Sequence, residues 1–274
     1  MTEPKMLDAG RLRAKLVDSG PYAALDVVEV TGSTNTDLTA AAASGAADRT
    51  VLIAEEQRSG RGRMQRDWVS PRGCGLNVSV LLRPRVDPAV LALLPLVAGV
   101  ALAETVDRAT GVRAALKWPN DLLLGEEQRK AAGILAEATA GPDGVAVVLG
   151  MGVNVHHRAE QLPTGAGGLP ATSLVEEGAD VDREAFAVEL LLAFAEFEDA
   201  WRSAGGDLER TGLLDRYQRW CATIGQAVRV ELGGDEQLHG TAVGVDAGGR
   251  LVVRTSDGGL TPVSAGDVVH LRRA

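Results

Sequence analysis

The chain has 274 residues, a formal net charge of -9 and a hydrophobic fraction of 45%. This length is enough for one large domain and a small one, and the composition is that of a globular protein with a sizeable core. The negative charge argues against a general nucleic-acid binder and against a polybasic membrane-surface protein. Cys74 and Cys221 lie far apart, without a CxxC motif or a zinc-ligand spacing, so no transition-metal site is expected.

The N-terminal residues contain no apolar h-region, so no signal peptide is expected. The most apolar stretch, residues 90–102, contains Pro95 and is too short to span a bilayer. Together with the lack of a disulfide framework, these features predict a cytoplasmic protein without a membrane partner.

Hydrophobic periodicity, capping residues and glycines divide the first part of the chain into helices and strands. Ser33 or Thr34 can cap a helix that continues through the alanine run to Ser44, and Gly111 is a stop signal for a long apolar helix. The predicted helices cover residues 8–17, 33–44 and 87–110. The predicted strands cover residues 23–30, 50–54, 76–82, 114–117, 122–124, 133–136 and 145–149.

The character of the chain changes near Thr223. Helices are predicted over residues 182–204 and 208–221, the first with a clear apolar face. From Ile224 onward, short β-rich runs alternate with Gly-rich turns, which predicts a small barrel. Because strands and helices do not alternate regularly, we predict an α+β domain over residues 1–223 and a small β domain over residues 224–274.

The segment RSGRGRMQRDW, residues 58–68, concentrates positive charge in an acidic chain. Gly60 and Gly62 allow positive φ and a close approach of the backbone to a ligand. Arginine side chains bind phosphate or carboxylate oxygens bidentately, and Trp68 can stack on a heterocycle. Neither GxxxxGK[ST] nor GxGxxG is present. An anion-binding loop that orders on its ligand is favoured over a solvated surface loop.

The motifs KWPNDLLL and RKAAGIL form a second group. A hairpin that turns at residues 125–128 would place Asp121 and Lys130 on adjacent strands. Asp121 would then suit Mg²⁺, and Lys130 would suit phosphate or carboxylate oxygens. A surface ion pair, which contributes little energy, explains the same spacing equally well.

Two further polar motifs have both a structural and a ligand-binding interpretation. Ser33, Thr34 and Asn35 begin a helix, where they can cap its N-terminus and also hold a polar ligand head. Asn154 follows a GMG motif, in which the two glycines either let the backbone approach a ligand or make a turn.

Together these stretches resemble the biotin–protein ligases. The resemblance lies in five motifs that occur in the family's order: TGSTNTD, EEQRSGRGRMQRDW, KWPNDLLL, RKAAGIL and LGMGVNV. It implies a mixed-sheet catalytic domain of the biotin/lipoate ligase type, related to class II aminoacyl-tRNA synthetases, followed by an SH3-like β-barrel. It also implies a ligase that forms C–N bonds in two steps. Biotin and MgATP give biotinyl-5′-AMP and pyrophosphate, and biotin then passes to a lysine of a biotin carboxyl carrier domain of an acyl-CoA carboxylase.

The resemblance also implies a role for each matching residue. Arg61, Arg63 and Lys130 would be the catalytic cations. Biotin would be bound by Ser33, Thr34, Asn35, Gln57, Arg61, Gly62, Arg63, Lys130 and Gly133. ATP and the adenylate would be bound by Arg63, Trp68, Lys117, Asn120, Asp121 and Asn154, and Asp121 would also serve Mg²⁺.

The chain departs from the family pattern at residues 64–67, where a more basic and Gly-containing sequence is common. Only a short helix precedes the ligase motifs, so no winged helix-turn-helix and no DNA-binding repressor activity are expected. The family contains both monomers and dimers, and a monomer or weak homodimer is expected here.

Two other functions are alternatives to the biotin ligase. A lipoate-type ligase of the same fold is one alternative, but the hydroxyls and amides of the STN motif and Gln57 favour the ureido ring of biotin. A non-enzymatic RNA-binding module is disfavoured by the acidic charge and by the lack of an aromatic stacking platform.

Overall fold

A mixed eight-stranded sheet forms the body of the protein. The computed structural model describes residues 5–141, 144–163, 169–233, 236–264 and 267–271. The strand order is β1-β2-β4-β8-β7-β6-β5, with β3 paired to β2; β1 and β2 are parallel and the other pairs are antiparallel. The strands are β1 Ala24–Thr31, β2 Thr50–Arg61, β3 Asp67–Ser70, β4 Gly75–Leu82, β5 Ala114–Lys117, β6 Asp121–Leu124, β7 Arg129–Gly141 and β8 Gly144–Asn154. The predicted α+β class is confirmed.

The helices begin and end at the capping residues that the sequence supplies. They are α1 Ala9–Arg13, α2 Thr34–Ala43, α3 Leu94–Thr110, α4 Arg183–Ser203 and α5 Leu213–Trp220. Ser33 caps α2 by accepting a hydrogen bond from the Thr36 backbone N–H, and Gly111 ends α3 in the left-handed conformation with φ 66°. Both caps were predicted, because capping depends on a few adjacent residues.

Helix α3 is the centre of the hydrophobic core and packs against α4 and α5. A 3-10 turn, Pro88–Leu93, precedes it, and the combined span of 23 residues passes for a membrane helix by length and composition. The prediction that the apolar stretch at residues 90–102 is too short to span a bilayer was therefore wrong about its length. However, 72% of its most apolar window is buried inside the protein, as in the core helix of a globular domain.

Several element boundaries differ from the prediction, and three of them have a clear physical reason. Strand β2 continues past Ala54 to Arg61, where β3 pairs with it. Strand β8 continues through the GMG motif to Asn154, where β4 and β7 pair with it on either side. Helix α5 begins only at Leu213, because Gly212 before it takes φ 69° and breaks the helical path.

The second sheet has five antiparallel strands in the order β12-β11-β10-β9-β13. They are β9 Ala227–Gly233, β10 Glu236–Val245, β11 Leu251–Arg254, β12 Leu260–Val263 and β13 Asp267–His270. The Trp118 indole N–H donates to the Gly249 carbonyl at 2.9 Å, and the Trp118 backbone N–H donates to Thr223 Oγ1 at 3.0 Å. These bonds tie the β5–β6 connection of the large sheet to the second sheet.

Candidate active site

A cleft that is partly open to solvent lies against the large sheet. Residues from α2, β2, β3, β4, β6, β7 and β8 line it, so elements far apart in sequence meet there. The structure brings together all fourteen residues predicted for the site: Ser33, Thr34, Asn35, Gln57, Arg61, Gly62, Arg63, Trp68, Lys117, Asn120, Asp121, Lys130, Gly133 and Asn154. Their individual roles stay predictions.

One end of the cleft is lined by uncharged polar side chains. Gln57 Oε1 accepts from the Thr34 backbone N–H at 3.1 Å and lies 3.2 Å from Thr34 Oγ1. Asn35 Nδ2 donates to Glu137 Oε2 at 2.7 Å. Thr34, Asn35 and Gln57 are at most 6% exposed, so their polar atoms are already held by the protein. This end can present fixed hydrogen-bonding groups to a neutral polar ring.

The arginine segment forms a hairpin that lines the cleft, rather than a loop along its whole length. Gly60 pairs with Trp68 and Arg61 pairs with Asp67, and a single 3-10 turn, Arg63–Gln65, joins the strands. Gly60 is required by close packing, because a Cβ there would lie 2.4 Å from the Trp68 carbonyl oxygen.

The expected positive φ does not occur at the two glycines of this segment. Met64 takes it instead, with φ 55° and ψ 36°. A left-handed residue is needed where the two strands reverse direction, and the turn falls on Met64.

Trp68 lies across β7 and β8, near the centre of the sheet. Its ring is 6.0 Å from Lys130 Nζ, and a Cβ at Gly152 would lie only 2.3 Å from its Nε1. A Cβ at Gly133, the residue paired with Gly152, would lie at an ordinary 3.6 Å from its Cζ3. The indole therefore packs on backbone that lacks side chains, with the Lys130 ammonium group over its ring.

Asp121 and Lys130 form an ion pair inside the cleft. Lys130 Nζ lies 2.7 Å from Asp121 Oδ1, and their side chains are 22% and 11% exposed. The hairpin between β6 and β7 places them together as predicted. Because both side chains line the cleft, the surface ion-pair interpretation is wrong.

Three further polar residues lie near this pair. Asn120 Nδ2 donates to the Ile134 carbonyl at 2.8 Å, and Asn154 Nδ2 donates to the Thr172 carbonyl at 2.9 Å. The amide oxygens of both asparagines are thus oriented away from those carbonyls. Lys117 is only 5% exposed, and its backbone lies opposite that of Asp121 where β5 and β6 pair.

The electrostatic character of the cleft is cationic. Among the described lining residues, five carry positive side chains (Arg61, Arg63, Arg66, Lys117 and Lys130) and two carry carboxylates (Asp67 and Asp121). Such an excess inside a concave site of an acidic protein attracts anionic ligands. A polar end beside a cationic region can hold a molecule with a neutral ring and a carboxylate, next to a polyphosphate.

Several residues of the site were missed by sequence reasoning. Ser79 and Glu137 contact Asn35, and the close approach of Gly152 to Trp68 had no sequence signal beyond the glycine itself. A serine in a run of apolar residues, LNVSVLL, was the one local sign that Ser79 is special.

The fold and the cleft are those of a protein ligase for biotin or lipoate. The model of the Biotin/lipoate A/B protein ligase family matches residues 27–154, and that of the Biotin protein ligase C terminal domain matches residues 223–271. The chain is 43% identical to the biotin--[acetyl-CoA-carboxylase] ligase of Mycobacterium tuberculosis, over 97% of this chain and 96% of that one. It is 33% identical to the bifunctional ligase/repressor BirA of Salmonella typhimurium, over 98% of this chain and 80% of that one.

A solved structure gives the same result. The biotin protein ligase from Aquifex aeolicus in complex with biotin and ATP matches with a TM-score of 0.76 and 27% identity, over 92% of this chain and all of that one. The chain belongs to the biotin protein ligase family and is a ligase. The lipoate-type alternative is not favoured, because the Mycobacterium relative is named a biotin ligase and the matched Aquifex structure is a biotin protein ligase in complex with biotin and ATP.

Proposed function

We propose that the protein activates biotin with ATP as biotinyl-5′-AMP and then transfers biotin to a lysine of a carrier domain of an acyl-CoA carboxylase. The observation that carries the proposal is the convergence of a neutral polar end, a cationic centre and a shielded indole in one cleft. The Aquifex relative is described with biotin and ATP, and the Mycobacterium relative is named for acetyl-CoA carboxylase.

In the first step, a carboxylate oxygen of biotin attacks the α-phosphorus of ATP. The bond from that phosphorus to the β-phosphate oxygen breaks, and pyrophosphate leaves with the bond electrons. Negative charge accumulates where the carboxylate meets the phosphate, so positioning and charge neutralisation dominate catalysis. Arg61, Arg63 and Lys130 are cations that line the cleft. We assign them this role, with Lys130 held in place by Asp121.

In the second step, the neutral ε-amine of the acceptor lysine attacks the acyl carbon of biotinyl-AMP. The acyl–oxygen bond breaks, AMP leaves, the amine loses a proton, and an amide forms. The adenylate must stay out of water until the acceptor arrives. We propose that the hairpin of β2 and β3 supplies this cover, since Trp68 and its arginines line the cleft.

Mg²⁺ would accompany ATP. In nucleotide sites it takes one or two protein carboxylates and draws its other ligands from phosphates and water. Asp121 provides one buried carboxylate in the cationic part of the cleft, so the residues present fit such an ion. Asp121 would hold it with the help of Asn120, and the ion would offset phosphate charge.

The proposal is tested by mixing the purified protein with MgATP and either biotin or lipoate. We expect mass spectrometry to detect biotinyl-AMP with biotin and no adenylate with lipoate. Lipoyl-AMP alone would replace the proposed substrate, and no adenylate with either acid would refute the activity. Addition of an apo carrier domain should then convert the adenylate into a biotinylated lysine and AMP.

A further inference from the structure

A chain of hydrogen bonds lies behind the polar end of the cleft. Thr34 and Asn35 begin α2, and Ser79 faces them from the middle of β4. Ser79 is fully buried and is not among the described residues that line the cleft. Its Oγ lies 2.7 Å from Thr34 Oγ1 and 2.7 Å from Asn35 Oδ1. Ser79 therefore contacts two lining side chains without reaching the ligand space.

The donor directions in this chain follow from the number of hydrogens. A serine hydroxyl carries one hydrogen, and an amide oxygen only accepts, so Ser79 donates to Asn35 Oδ1. The contact between Ser79 and Thr34 then requires the Thr34 hydroxyl to donate to Ser79 Oγ. Gln57 Oε1 is a more distant partner for that hydroxyl, at 3.2 Å, and already accepts from the Thr34 backbone N–H.

Glu137 on β7 fixes the other side of the Asn35 amide. Its Oε2 lies 2.7 Å from Asn35 Nδ2, and a carboxylate accepts hydrogen bonds, so the NH₂ group must face it. The amide oxygen then faces Ser79 and lies above Gly150, where a Cβ would come within 2.3 Å of it. Protein groups thus set the orientation of Asn35 before any ligand binds.

This arrangement determines what the remaining lone pairs of Thr34 Oγ1 and Asn35 Oδ1 can do. Thr34 Oγ1 directs its hydrogen to Ser79, and Asn35 Oδ1 carries none, so both oxygens can only accept from a ligand. The ureido ring of biotin has two N–H donors. We propose that Ser79 and Glu137 are positioning residues that make this end of the cleft an acceptor for the ureido N–H groups. This inference rests on the proposed function, since it concerns how biotin is recognised.

The first experiment measures biotin binding by titration calorimetry in the wild type, Ser79→Ala and Ser70→Ala. Ser70 is the matched control, because it is equally buried and its Oγ has no hydrogen-bond partner among the described residues. We expect about tenfold weaker biotin binding for Ser79→Ala and less than about twofold change for Ser70→Ala. Equal weakening in both variants, or none in Ser79→Ala, would overturn the inference.

A second pair of variants tests Glu137, the exposed member of the hydrogen-bonded group, where a substitution does not disturb folding. Glu137 is exposed, so its replacement leaves the core intact. In Glu137→Gln the side-chain carbonyl still accepts from Asn35, and biotin affinity should be retained. Glu137→Leu removes the acceptor, and biotin should bind several-fold more weakly while the KM for ATP stays unchanged. Equal affinities of the two variants would contradict the proposed positioning role.

A biotin analogue methylated on a ureido nitrogen separates recognition from packing. Its methyl group has the same bulk in every variant, but it removes one N–H donor. The wild type should lose more affinity on methylation than Ser79→Ala does, because the acceptors are no longer aligned in the variant. The same loss of affinity in both proteins would overturn the proposed positioning role of Ser79. A wild type that binds no biotin at all would instead refute the proposed function.

Discussion

Gly152→Ala is the change that most directly tests how the sheet seats the Trp68 indole. Gly152 lies on β8, and a Cβ built there would be 2.3 Å from Trp68 Nε1 and 2.5 Å from its Cε2. Favourable contacts of this kind lie at about 3.5–4.0 Å, so the indole must move by roughly 1 Å or more. The strand itself cannot yield, because β4 and β7 pair with it on both sides.

The size of the effect follows from that displacement. Misplacing a positioning group by about 1 Å can cost up to roughly 100-fold in rate. We expect kcat/KM for ATP to fall about 10- to 100-fold, with about 1–3 kcal/mol lost from the free energy of unfolding through overpacking. The hydrogen bonds that hold Thr34, Asn35 and Gln57 do not involve the indole, so the polar end of the cleft should keep its geometry and biotin affinity should fall less than the use of ATP.

Pyrophosphate exchange with ATP varied at saturating biotin gives kcat/KM, and calorimetry gives biotin affinity. Gly244→Ala is a suitable control, because its new Cβ would have Gln218 Oε1 as its nearest neighbour, at 3.6 Å. Wild-type use of ATP by Gly152→Ala would refute the role of Trp68 on the nucleotide side. A parallel loss in the control would show that a general loss of stability caused the effect.

Four further outcomes are expected. Lys130→Ala should lower the adenylation rate about 100- to 1000-fold with the fold intact by circular dichroism, because it removes a cation from the transition state; wild-type rates would sink the assignment. Gly133→Ala should keep the unfolding temperature, since its Cβ has ordinary contacts, but weaken biotin binding, and unchanged affinity would remove Gly133 from the biotin site. Burial, together with the neighbouring His156, lowers the pKa of His157 from 6.5 to about 4, so the unfolded chain takes up the proton first as the pH falls. Stability should therefore drop by up to about 3 kcal/mol between pH 6.5 and 4, and His157→Leu should abolish this dependence in denaturant titrations. Trypsin should cleave within residues 58–68 more slowly when biotin and ATP are present, and equal cleavage would contradict ordering of this segment by its ligand.

Local signals were sufficient wherever a few neighbouring residues decide the structure. Ser33 begins α2 and Gly111 ends α3 as predicted, because a cap depends on the hydrogen bonds and backbone angles of one turn. The hairpin that joins Asp121 to Lys130 was also predictable, since its turn is short and its strands are adjacent in sequence.

Strand pairing explains the errors. The arginine segment folds in part into the β2–β3 hairpin, and the GMG motif lies within β8, which pairs with β4, a strand remote in sequence, and with β7. The positive φ expected at Gly60 and Gly62 occurs at Met64, since strand register decides which residue reaches the turn. Nothing in the local sequence specifies that register.

The sequence by itself determined the class of chemistry, because charge, hydroxyls, amides and glycines are properties of the residues and of their spacing. It indicated anion binding at residues 58–68 and a polar ligand head at the STN motif. Only the tertiary structure decided which of these groups face one another. Ser79 meets Thr34 and Asn35 because α2 packs against β4, and Gly152 meets Trp68 because the indole of β3 reaches β8. Donor direction and close approach depend on distances between elements remote in sequence, and folding alone sets those distances.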